Sequence, residues 1–383
     1  MNILEEIQNC PVEWKELGEV VDVLDSLRRP ITKSQRIPGD IPYYGANGIQ
    51  DYVKDWIFDG TFILMGEDGS VIKNDNSPIL HWVVGKIWVN NHAHILGEVP
   101  GCALLKYVYY VLSQTDVSDI VRGTPPKLNQ KNLKSIKIPI PPLEIQEKIV
   151  QTLDKFTDYV TELTSELTSR KKQYSFYRDK LLSFEDEVYQ VEWKTLGEVA
   201  ENLDNMRKPV AKGGRSLGIY PYYGASGIVD YVDSFIFDGD YLLISEDGAN
   251  LVVRKTPIAF SISGKTWVNN HAHVLKFDNI INQKFVNYYL NYLDLSPYIT
   301  GAAQPKLNQQ NLNSIKIPYP SLEIQSRIVQ VLDNFDMVCN DLNIGLPKEI
   351  ELRQKQYEYF REKLLTFVAE GEYTDSTVQT RHH

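Results

Sequence analysis

The sequence is short of cysteine, of long apolar runs and of positive charge. Its three cysteines, Cys10, Cys102 and Cys339, are odd in number and scattered. That excludes a disulfide framework or a cysteine metal site, and it suits the reducing cytoplasm. No apolar run approaches the ~20 residues a membrane span needs, so no membrane is expected. The opening Met1-Asn2-Ile3-Leu4-Glu5-Glu6 lacks the basic and apolar regions of a signal peptide. Net charge is −10 over 383 residues. Residues 1–142 and 185–320 each carry −3, residues 143–184 are neutral, and 321–383 carry −4. Such a balance speaks against a simple DNA binder unless positive charge is clustered, or supplied by a partner. The Asn/Asp-Pro-Pro-Tyr/Phe loop with which methyltransferases hold a flipped adenine is absent as well.

What is present is a duplication 179 residues apart. Glu13-Trp14-Lys15 and Leu17-Gly18-Glu19-Val20 return as Glu192-Trp193-Lys194 and Leu196-Gly197-Glu198-Val199. Pro42-Tyr43-Tyr44-Gly45-Ala46 returns at 221–225, Trp88-Val89-Asn90-Asn91-His92-Ala93-His94 at 267–273, and Pro126-Lys127-Leu128-Asn129-Gln130 at 305–309. This period is too long for a solenoid repeat and matches two copies of a whole domain. Two similar domains in one chain suit a target that itself has two halves.

Each copy has two parts. The first reads as short strands and turns: residues 61–65 end at Glu67-Asp68-Gly69, and 241–244 at Glu246-Asp247-Gly248. Residues 79–96 read as a hairpin turning at Gly85-Lys86, with Gly264-Lys265 its twin. Residues 104–112 and 284–293 show helical spacing. The second part is a long helix that follows the proline-rich residues 138–142. Ile149, Leu153, Phe156, Val160, Leu163, Leu167, Arg170, Tyr174, Tyr177 and Leu181 form a heptad stripe broken only by Arg170. The second stripe runs Ile328, Leu332, Phe335, Cys339, Leu342, Leu346, then Ile350, Arg353, Tyr357, Phe360, Leu364. Two successive spacings of four at Gly345-Leu346-Pro347 predict a break, with Pro347 opening a new segment. A ~40-residue helix is ~60 Å long, and pairing of the two is the economical way to cover both stripes.

The expected architecture is therefore α+β. Two β-rich mixed domains, 1–142 and 185–320, are related by pseudo-twofold symmetry. They are joined by two long antiparallel coiled-coil helices, 143–184 and 321–368, and residues 369–383 form a tail outside the fold.

Candidate chemistry is sparse. Ser263-Gly264-Lys265-Thr266 fits a relaxed phosphate loop, but strand-like residues follow it and the first copy lacks the hydroxyl, so a hairpin turn explains it better. His92-Ala93-His94 and His271-Ala272-His273 put two imidazoles on one strand face and could begin a metal site. No cysteine or carboxylate stands at a convincing ligand spacing, which leaves hydrogen-bonded structural histidines as the other reading. Basic clusters recur: Arg28, Arg29, Lys33 and Arg36 against Arg207, Lys208, Lys212 and Arg215. A solvated loop would produce the same run, but its repetition favours a DNA backbone contact.

The run from Pro126 to Leu153, with Ser135-Ile136-Lys137-Ile138-Pro139 and Pro141-Pro142-Leu143-Glu144-Ile145-Gln146, resembles the signature of type I restriction–modification specificity subunits. So does Arg170-Lys171-Lys172-Gln173-Tyr174 with Tyr177-Arg178-Asp179-Lys180-Leu181-Leu182, and both recur. The resemblance covers roughly residues 12–367. It implies two target recognition domains, each reading half of a bipartite double-stranded DNA site. It also implies spacer helices that dock two modification subunits methylating adenine N6, with restriction subunits completing a nuclease. S-adenosylmethionine, ATP and Mg are then expected on those partners, with no cofactor or metal on this chain and no catalytic residue in it.

Comparing copies sharpens the expected contacts. Shared positions cannot distinguish two different half-sites, so they are scaffold or phosphate contacts; divergent loop positions are candidate base readers. Lys127 and Lys306 are expected phosphate contacts beside Asn129 and Asn308, which also fit as helix caps. Divergence concentrates at 34–39 against 213–218, 71–77 against 251–256, and 114–124 against 293–303. Lys73, Arg122, Arg254 and Lys255 lie in these loops, and Arg36, Arg215, Arg254 and Lys73 fit guanine edges. Two rivals stay open at this point: a metal-dependent nuclease built on the His-x-His strands, and a pseudo-symmetric protein scaffold that never reads sequence.

Overall fold

A computed structural model describes residues 3–69, 71–184, 191–301 and 304–367. The expected tail, 369–383, and the junction 185–190 lie outside the described residues. The chain divides into two compact units, residues 1–162 with 351–383, and residues 163–350.

In the first unit, Glu13–Glu16 pairs antiparallel with Lys137–Ile140, so the domain's two ends close on each other just before the long helix. Its six-stranded sheet runs Val21–Val23, Ala93–Glu98, Phe58–Gly66, Leu80–Val89, Pro38–Gly45, Gly48–Val53. One contact in it is parallel, aligning Tyr43 with Trp88 and Tyr44 with Val89. Leu105–Leu112 is helical, as the spacing predicts, and buries Tyr107, Val108 and Leu112 against the sheet.

The expected hairpin at Gly85-Lys86 is not there. Leu80–Val89 is one continuous strand, and the chain turns at residues 90–92 instead. Gly85 sits opposite Gly60 in the ladder, and its φ of +91° bends the strand without ending it. In the second unit the bend is sharper. Ala259–Ile262 stays with Tyr241–Ser245, whereas Lys265–Val268 pairs with Phe237–Asp238 and Leu217–Gly224. Gly264-Lys265 is thus a crossing point between two four-stranded sheets, and the strand after it rules out a phosphate loop, which needs a helix there.

The second unit otherwise repeats the first. Glu192–Thr195 pairs with Lys316–Tyr319, and Ile280–Tyr292 is helical from an Asn279 cap, four residues before the sequence predicts.

The long helices complete each core. The central helix spans Leu143–Leu182. At its start the Gln146 amide donates to Pro141 O and accepts from Leu104 N–H, locking the helix to its own domain. In the first unit Ile149, Leu153 and Leu364 are fully buried together, and Phe156 stacks on Phe360 at 5.2 Å. In the second unit Leu182 joins Ile328 and Leu332 in the core, and Tyr174 and Tyr177 stack on Phe335 at 5.9 and 5.7 Å. Residue numbers rise on one helix as they fall on the other, so the pairing within each unit is antiparallel. Each fully buried Leu or Ile is worth about 1.5–3 kcal/mol, which ties the helix ends into the domains.

Between those anchors the stripe is shallower. Val160, Leu163, Leu167, Leu181, Ile350 and Tyr357 are half-buried, and Tyr177 is exposed on its outer side. Leu342 departs from the expected seam altogether: it is 72% exposed. The helix Leu322–Asn340 stops before it, residues 341–345 turn out of the axis, and Leu346–Leu365 begins anew with Pro347 in its first turn. Gly345 makes that turn, because a Cβ there would lie 2.5 Å from Met337 O and 2.6 Å from Asp341 O. The two C-terminal helices hold 19 and 20 residues against 40 in the central helix, so the turn absorbs the extra chain length.

Candidate nucleic-acid interface

Four distant segments of the first unit meet around Arg28. Its Nη1 donates to Glu67 at 2.5 Å and to Ala93 O at 2.9 Å, its Nε donates to Asp25 O at 3.0 Å, and its Nη2 lies 3.6 Å from the Asp25 carboxylate. His94 Nδ1 meets Asp25 Oδ2 at 2.6 Å and its Nε2 donates to Leu128 O at 2.7 Å. Lys127 closes the ring on Glu67 at 3.1 Å. Arg207, Asp204, Glu246, His273 and Lys306 build the same network in the second unit, with Lys306 again 3.1 Å from Glu246.

Burial pushes the Asp25 and Glu67 carboxyls up. Hydrogen bonds from His94 and the Ile95 amide to Asp25, and from Arg28 and Lys127 to Glu67, outweigh it and leave both below the usual carboxylate range. Asp204 and Glu246 shift the same way for the same causes.

This network changes the standing of several expected contacts. Arg28 and Arg207, expected as DNA contacts, have their guanidinium donors taken up inside the fold. Arg36 and Arg215, expected at guanine edges, are engaged by neighbouring side chains. Arg36 lies 4.1 Å over the Tyr43 ring and pairs with Asp51, and Arg215 does the same with Tyr222 and Asp230. Arg254 turns inward to the Leu290 and Leu293 carbonyls. Asn129 and Asn308 are the caps of short helices, accepting from Asn132 and Asn311 N–H at 2.9 Å. Arg29, Lys33, Lys73, Arg122, Lys208, Lys212 and Lys255 remain exposed, and Lys127 and Lys306 are half-exposed beside the network.

Sequence reasoning missed Asp25, Glu67 and their second-copy twins. Their identity at the 179-residue offset was the available signal. It also missed that the two imidazoles of each His-x-His part company. His92 is exposed and bonded to Asp68 at 2.6 Å, and His271 to Asp247 at 2.8 Å, while His94 and His273 are buried.

The divergent loops are rooted in this shared frame. Gly69 and Gly248, each next to a network carboxylate segment, donate to Pro126 O and Pro305 O, and Leu128 and Leu307 donate to Glu67 O and Glu246 O. Loops 71–77 and 251–256 therefore emerge beside the shared lysines, and Arg122 and Thr300 bridge directly to Lys127 and Lys306.

The type I restriction modification DNA specificity domain matches this sequence twice, at residues 11–170 and 190–352. The chain belongs to the type I restriction–modification specificity subunit family. A Haemophilus influenzae protein named as a type I restriction enzyme specificity subunit is 34% identical, over 94% of this chain and 97% of its own. The Escherichia coli EcoR124I/EcoR124II specificity subunit is 36% identical, over 96% and 97%. The crystal structure of a type I system S subunit from M. genitalium shares the fold at 18% identity with a TM-score of 0.65, covering 94% and 98%. The two matches fall on the two copies read from the sequence, so this specificity subunit has two target recognition domains.

Within the specificity subunit the charged triads Asp25–Glu67–His94 and Asp204–Glu246–His273 have the residue types of a metal site, with ligand atoms within 4.8 Å. Their donors are already committed. Leu128 O can only accept, so His94 Nε2 carries a hydrogen. Asp25 Oδ2 faces Nδ1 at 2.6 Å, so both ring nitrogens are already engaged within the fold. Arg28 and Lys127 occupy the carboxylates. The carboxylate partners that the sequence spacing did not reveal make a charge network instead. Among the described residues no helix is long and apolar enough to cross a membrane.

Proposed function

We propose that this chain is the DNA-recognition component of a type I complex and performs no chemistry itself. Domains 1–142 and 185–320 each read one half of a bipartite duplex site. The helices Leu143–Leu182, Leu322–Asn340 and Leu346–Leu365 set the half-site separation and dock two modification subunits, which carry S-adenosylmethionine and methylate adenine N6. Restriction subunits with ATP and Mg add cleavage, and the assembly works in the cytoplasm.

One observation carries this reading: the two domains keep the charge network residue for residue, while the loops rooted in it differ. A shared part cannot discriminate two sequences, so it holds the backbone, through Lys127 and Lys306. The divergent loops are left to read bases. The chain's acidic balance fits a complex in which partner subunits supply much of the positive surface.

The test is to purify the chain with a modification subunit and map methylated adenines in exposed DNA. A single bipartite motif is expected, with no methyl transfer by the chain alone. A contiguous motif, or transfer by the lone chain at the rate of the complex, contradicts the proposal.

A further inference from the structure

Eight residues separate Gly69 from Pro78 in one domain and Gly248 from Pro257 in the other. The pins at the two ends are alike: Gly69 and Gly248 bond to Pro126 O and Pro305 O, and Gly66 and Ser245 N–H donate to Ile79 O and Ile258 O. Between the pins the backbones part. In the first domain Lys73 N–H donates to Ser77 O and Asn76 takes a φ of +65°, with its amide bonded to Asp116. That polar turn exposes Lys73 and Asn74. In the second domain Asn250–Val253 winds into a helical turn.

The helical turn is held firmly. Leu251 is 1% exposed in the core, Arg254 is bonded to Leu290 O and Leu293 O, and the Asn250 amide and the Thr256 backbone bond each other twice. So fixed, it shows Val252 and Val253 to solvent at 57% and 55% exposure. The two adjacent apolar side chains stand on a turn rooted at Gly248, whose N–H bonds to Pro305 O next to Lys306.

Resting on the DNA reading above, we propose that Val252 and Val253 are specificity-determining residues that recognise thymine C5-methyl groups in the major groove. The methyl of thymine is the apolar feature of base edges there, and an apolar side chain against cytosine would leave its amino group unpaired. The half-site of the second domain therefore contains A·T pairs at these contacts. The first domain, with Lys73 and Asn74 in the corresponding place, reads hydrogen-bonding edges, so dependence on thymine methyls belongs to one half-site alone.

The test uses the full chain co-purified with a modification subunit. Bound duplexes are selected from a random pool and sequenced, then remade with uracil replacing thymine in one half-site or the other. Binding of the original protein should fall about fourfold for each contacted methyl removed, in one half-site only. The double variant V252A/V253A, whose melting temperature should be unchanged, should lose that sensitivity and relax its selected sequence at the same positions. A bipartite motif with no uracil effect, with equal effects in both halves, or with the variant selecting the original sequence overturns the inference and leaves the proposed function standing. Failure to enrich any motif sinks both.

Discussion

Replacing Arg28 by methionine separates a structural role from a DNA contact. The guanidinium bridges Glu67 at 2.5 Å, Ala93 O at 2.9 Å and the Asp25 carbonyl at 3.0 Å. Its side chain is 14% exposed, that of Asp25 6%, and that of Glu67 12%. Removing the cation leaves two buried carboxylates to His94 and the half-exposed Lys127. Breaking such a buried pair costs about 3–5 kcal/mol, and we expect the lower end because Lys127 offsets part of the loss. In a unit of this size each kcal/mol moves the midpoint by about 2–4 °C. The first unit should thus melt roughly 6–12 °C earlier, while the second, with Arg207 intact, keeps its transition. Arg28→Lys keeps the charge but not the fork, and should lose about half as much. Calorimetry paired with hydrogen exchange at the Glu67 and Leu128 amides would locate the effect. Unchanged melting with weakened DNA binding would refute this reasoning and return Arg28 to the DNA surface.

Four further outcomes are expected. The network carboxyls of Asp25, Glu67, Asp204 and Glu246 lie below their ordinary range, so their stabilisation is full above the unfolded carboxyl values near ~4. It is lost as pH falls through the depressed native values, and an acid titration of unfolding should show stability constant above about pH 5 and falling below it. Leu332→Asp buries a charge at a fully enclosed site and should cost at least about 3 kcal/mol in denaturant unfolding. Leu342→Asp, at a 72% exposed position, should stay within about 0.5 kcal/mol, and an equal loss in both would show a seam extending past Asn340. Lys127→Ala should weaken DNA binding uniformly across sequences and lower the salt slope by about one, whereas a changed motif would make Lys127 a base reader.

Periodic and local features were legible in the sequence. The duplication set the two domains, the heptad stripe found the helix contacts Phe156–Phe360 and Tyr174–Phe335, and Gly345-Leu346-Pro347 marked the break. What failed depended on partners distant in the chain. The partners of Arg28 and Arg36 were out of sight, because nothing in the spacing discloses Glu67 or Asp51 as neighbours. Gly85-Lys86 imitated a turn, since a positive-φ glycine inside a strand and one between two strands look alike without the ladder. Leu342 kept the heptad count after the helix had ended, because periodicity does not register a helix stop until the next break. The charge network was visible only as identities between the copies, each an ordinary polar residue by itself.

The central claim is that each domain reads its own half-site independently. The direct measurement is methylation mapping of a chimaera in which residues 185–320 are replaced by the corresponding domain of a relative, assembled with the same modification subunit. The account predicts a motif with one half changed and the other half and the spacing retained. A chimaera that changes both halves together, or neither, contradicts it.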